Sequence, residues 1–140
     1  MEPLSPVYLS AIAAQTGGLS AFLGGFAATF LGTLLALNVK GRTGSLAIGF
    51  SVTSSVAFIV AVVGSTATVA ALHPDGPAGR VGSAGFAQIV MSIGFVLGLY
   101  ALLISLGLSG WSRSKGTGWT TSIAAALGVV LVTGMVVSIG

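Results

Sequence analysis

The chain has 140 residues, of which 54% are apolar, 22 are glycine, five are basic, two are acidic and none is cysteine. That composition excludes an ordinary water-soluble domain, where about a quarter of residues are charged, and it leaves no disulfide or thiolate chemistry. The formal net charge of +3 sits between apolar runs, a placement that points to lipid headgroups and away from a nucleic-acid surface.

Four stretches lack any Asp, Glu, Lys, Arg or His: 7–37, 45–72, 81–108 and 119–140. Each exceeds the roughly 20 residues that cross a hydrocarbon layer of about 30 Å at 1.5 Å per residue. In lipid every backbone amide must be bonded within its own segment, and the stretches are too long for barrel strands. The expected fold is therefore all-α: one polytopic domain over 1–140, made of four antiparallel transmembrane helices. No cleavable leader is expected, because Glu2 stands where basic residues would and the first apolar run is too long.

The first span opens at Ser5-Pro6, an N-cap followed by a proline at the first helical position. Asn38 and Gly41 end it. Within it lie five glycines between residues 17 and 32, each costing an isolated helix about 1 kcal/mol relative to alanine. Taken every fourth residue, Thr16, Ser20, Gly24, Ala28, Gly32 and Ala36 form one small row, and Gly17, Ala21, Gly25, Thr29 and Thr33 form another. The remaining rows carry Phe22, Phe26, Phe30 and the leucines. The helix is sorted by size instead of polarity. Lipid tails are as apolar as leucine, so membrane helices associate by close backbone approach along small rows. Two such rows are more smooth surface than one neighbour requires, and self-association is expected. Gln15, in the same span, is an intramembrane amide.

The second span repeats the small row with Gly49 and Ala57. It also carries the hydroxyls Ser51, Thr53, Ser54 and Ser55, which either bond the preceding turn of their own helix or line a pathway. It ends at His73-Pro74, where Asp75 lies two positions on and the pair falls short of a metal ligand set. The third span offers Gly94 and Gly98 for packing and Gln88 as a second amide, at a depth similar to Gln15. Trp111 and Trp119 bracket the turn before the fourth span and read as headgroup anchors.

Lys40 and Arg42 follow the first span, and Arg113 and Lys115 follow the third, so four of the five basic residues fall on turns that share a side. The positive-inside rule places 38–44 and 109–118 in the cytoplasm, with both termini outside. The expected location is a cell membrane of the bacterial inner-membrane type. No ionisable group stands at membrane depth, which removes proton coupling, voltage sensing and acid-base catalysis from the expected functions. What remains is a non-catalytic scaffold or accessory subunit that packs against its own copies or other membrane subunits. The alternative is an oligomeric channel for ions or small solutes lined by the hydroxyls of the second span. No metal or cofactor is called for, and the grooves between helices leave room for a lipid or a carotenoid.

Overall fold

The computed structural model describes residues 5–75, 81–112 and 114–139. It contains four helices, α1 (Pro6–Ala36), α2 (Arg42–Leu72), α3 (Val81–Trp111) and α4 (Lys115–Ile139), and no strand among the described residues. All four are long and apolar enough to cross a membrane. The chain is a multi-pass membrane protein by that measure. The first three helices have 31 residues each, about 46 Å at 1.5 Å per residue, and so reach past a hydrocarbon layer of about 30 Å into the headgroup zone.

The helix ends are set by local hydrogen bonds. Ser5 caps α1: its Oγ accepts the Tyr8 amide at 3.3 Å and its carbonyl accepts Leu9 N at 3.0 Å. At the other end Asn38 is left-handed, with φ 47°. Its amide bonds the Leu35 carbonyl and the Val39 amide bonds Leu34, a Schellman closure that satisfies carbonyls left over by the helix. Gly41, at φ 94°, then accepts Ser45 N and starts α2. Three ends lie beyond the apolar runs: α2 begins at Arg42 instead of residue 45, α3 continues to Trp111 instead of 108, and α4 begins at Lys115 instead of 119. Loss of hydrophobicity marks the edge of the oil, whereas the backbone stays helical until a cap stops it. The third cap is Ser114, whose Oγ accepts Thr117 N at 3.2 Å.

The packing divides into two compact units, Met1–Phe26 with Ser55–Gly98, and Ala27–Ser54 with Leu99–Gly140. In the first, α1 buries Ala13, Gly17 and Ser20, a spacing of four and three residues that keeps one face inward. The core side chain of that unit is Phe58, 0% exposed, set edge-on to Phe95 at 6.2 Å between ring centres. Gly98 makes room for it, since a Cβ there would stand 3.0 Å from the Phe58 ring. Below the ring α2 and α3 meet backbone to backbone. A Cβ at Gly94 would lie 2.9 Å from the Ala57 carbonyl, and one at Gly64 would lie 2.9 Å from Met91 N. Ser20 Oγ is buried with no hydrogen-bond partner.

The second unit is held by hydroxyls as well as by small residues. Ser51 Oγ of α2 donates to the Ala27 carbonyl of α1 at 3.1 Å, and Ser105 Oγ of α3 donates to the Ala47 carbonyl of α2 at 2.7 Å. Between α3 and α4, Trp111 Nε1 donates to Ser122 Oγ at 2.7 Å and Tyr100 bonds Thr133. Gly107 and Gly110 of α3 face Ala125 and Thr121 of α4, with no space for a further methyl at Gly110. Even so, α4 is the least buried of the four helices.

Candidate functional site: helix faces and cavities

The small rows of α1 are divided by the fold. Gly17 meets Ser65 so closely that a Cβ would overlap its hydroxyl, and at Gly24 a Cβ would lie 3.1 Å from Phe58 Cβ. Ala57, Gly94 and Gly98 are likewise inside the first unit. These five pack helix against helix within the chain. By contrast Ala21, Gly25, Ala28 and Gly32 are exposed on α1, as is Gly49 on α2. A Cβ at Gly18, Gly25, Gly32 or Gly49 would meet nothing within 4 Å. Beside this smooth outer stripe stand Phe22 and Phe26, 73% and 48% exposed.

Close-packed glycines at 64, 107, 110 and 118 lie outside the small rows. A single close approach needs no row at all.

The hydroxyl cluster of α2 splits in the same way. Ser51 and Ser54 are fully buried, Ser55 is half-buried, and Thr53 is exposed with its hydroxyl returned to the Gly49 carbonyl at 3.0 Å. Gln15 is exposed and Gln88 half-buried, and no hydrogen bond joins them among the described residues.

Of the headgroup residues, Lys40 sits on the α1–α2 link, and Arg42 and Lys115 open α2 and α4, all exposed. Trp111 and Trp119 stand 6.3 Å apart, both exposed. Arg113 lies outside the described residues.

Among the described residues, three of the hollows accompany these faces. One, of about 700 Å³, runs between α1 and α2 over Gly17, Val62 and Ser65 to His73 and Asp75. There His73 Nδ1 accepts the Asp75 amide at 3.3 Å. The Asp75 carboxylate stands 3.9 Å from the same nitrogen. No group of three or more His, Cys, Asp or Glu side chains gathers among the described residues. A second hollow, of about 300 Å³, is a wholly apolar slot between α2 and α3 floored by Gly64. The third, of about 530 Å³, is bordered by the end of α1, the end of α3 and the start of α4, and it has Lys40 on its wall.

Comparison with protein-family models, with curated proteins and with solved structures finds no match to this chain. The functional reading rests on the faces themselves.

Proposed function

We propose that the chain is a non-catalytic membrane scaffold or accessory subunit that associates with its own copies through the outer face of α1. The observation that carries this is the stripe Gly18, Ala21, Ala28 and Gly32, exposed while the inward face of the same helix is already filled by Ala13, Gly17, Ser20 and Ala27. Solvation by lipid rewards no smooth helix face, whereas a second helix laid on one gains van der Waals contact along its whole length.

The four helices run antiparallel in this reading, with 38–44 and 109–118 cytoplasmic and the termini outside. Support comes from contact pairs whose numbers rise on one helix as they fall on the next: Gly17 with Ser65 and Gly24 with Phe58, then Leu103 with Gly128, Gly107 with Ala125 and Gly110 with Thr121. The buried hydroxyls also favour packing over conduction, because Ser51 and Ser105 donate into the backbone of a neighbouring helix.

The test is assembly in bilayers, measured by energy transfer between labelled copies. Gly32→Leu combined with Ala28→Leu is expected to weaken association about tenfold or more, about 1.4 kcal/mol. Gly134→Leu, which adds the same bulk to an open position of α4, is expected to leave it unchanged. Equal association of all three proteins would remove the α1 interface. Solute flux through the assembled protein in liposomes, lost on Thr53→Ala with assembly intact, would instead establish the channel reading.

A further inference from the structure

We propose that the hollow at the ends of α1 and α3 is a binding site for one anionic phospholipid, with its phosphate on the Lys40 ammonium and an acyl chain over Phe30 and Leu34. The hollow has about 530 Å³, within the roughly 300–1,000 Å³ of small-ligand sites. Its wall is two-sided: Phe30, Leu34 and Leu37 are apolar, and Lys40, Asn38 and Thr117 are polar. A headgroup joined to a hydrocarbon chain has the same division.

Charge is complementary as well. Lys40 makes no ion pair among the described residues, and the chain has only two acidic side chains. Several of the helix-end carbonyls that would repel a phosphate already accept hydrogen bonds. Leu34 and Leu35 accept the Val39 and Asn38 amides, Ser109 accepts both the amide and the hydroxyl of Ser112, and Gly110 accepts Ser114 N. The start of α4, by contrast, presents the positive end of its dipole beside Thr117. A zwitterionic lipid would bring its own cation to this wall and gain less. In the orientation proposed above the site opens to the cytoplasmic leaflet, where anionic lipids are concentrated, although the binding chemistry holds in either leaflet.

The experiment uses the full chain in a neutral detergent, with dioleoylphosphatidylglycerol or dioleoylphosphatidylcholine added. Retained lipid is counted by native mass spectrometry, and unfolding is followed by tryptophan fluorescence. One phosphatidylglycerol per chain and a raised midpoint are expected, with phosphatidylcholine doing neither. Lys40→Gln is expected to weaken binding about tenfold, as loss of a charged hydrogen bond does. Lys115→Gln, a basic residue outside the wall, changes it less than twofold. Thr33→Phe fills the hollow, keeps the charge and is also expected to reduce binding. Equal losses from Lys40→Gln and Lys115→Gln would reduce the effect to general surface attraction and overturn the site. Retention of phosphatidylcholine to the same degree, full competition by inorganic phosphate, or no retained lipid would overturn it too. Assembly through α1 is read from energy transfer, so the two proposals fail separately.

Discussion

Glycine has two different jobs in this chain, and they predict opposite responses to one methyl group. At Gly94 and Gly64 the opposing atoms are backbone, Ala57 O and Met91 N, each 2.9 Å from where a Cβ would stand. Backbone in a packed helix pair cannot rotate away as a flexible side chain can, so Gly94→Ala must push α2 and α3 apart. A cost of about 1–3 kcal/mol is expected. At Gly18 the space is open, and alanine there gains helix propensity, up to about 1 kcal/mol. Unfolding of the two variants in mixed micelles should move in opposite directions; a neutral Gly94→Ala would mean that the α2–α3 approach is looser than described. The row pattern made Gly17, Gly24, Gly94 and Gly98 legible, because recurring small residues mark a smooth face. It marked Gly25, Gly32 and Gly49 equally well, since smoothness is a property of one helix whereas contact is a property of two. Gly64 and Gly110 had no row to announce them, and their partners are distant in sequence.

At the scale of elements, the ends are decided by caps that cost few residues to specify. Ser5-Pro6 and Asn38 were readable because their side chains or φ preferences act within one turn. The start of α4 was not, because Lys115 interrupts the apolar run while leaving the helix intact. Ser114 is the residue that starts it, with Gly118 N on its carbonyl at 2.9 Å and Thr117 N on its Oγ. The cap matters more here than at α1, because α4 opens with a lysine, unfavourable at the positive end of a dipole, and has the least burial to hold it. Ser114→Ala is expected to cost about 1 kcal/mol, felt locally as faster amide hydrogen exchange over 115–118 with little change in α2 or α3. The same variant leaves Trp111 bonded to Ser122, so α4 frays from its first turn without detaching.

For the molecule as a whole, hydrophobicity gives four helices able to span a membrane but does not say which way they point. Orientation is carried by a few charges. Lys40, Arg42, Arg113 and Lys115 lie around the first and third links, whereas the second link sets Asp75 against Arg80. Each basic residue near an anionic surface is worth about 1 kcal/mol, so the imbalance amounts to several kcal/mol in favour of the four-residue side facing the cytoplasm. Ser112 and Asp75 are exposed positions just beyond α3 and α2, and neither is in a helix interior, so single cysteines there report sidedness with little disturbance. An impermeant thiol reagent applied to intact cells is expected to label Asp75→Cys and to spare Ser112→Cys until the membrane is opened. The reverse pattern would invert the molecule, and labelling of both would mean two orientations coexist. Moving the charge should move the protein: Lys40→Gln, Arg42→Gln, Arg113→Gln and Lys115→Gln combined, with two lysines added beside Asp75, are expected to exchange the labelling of the two sites.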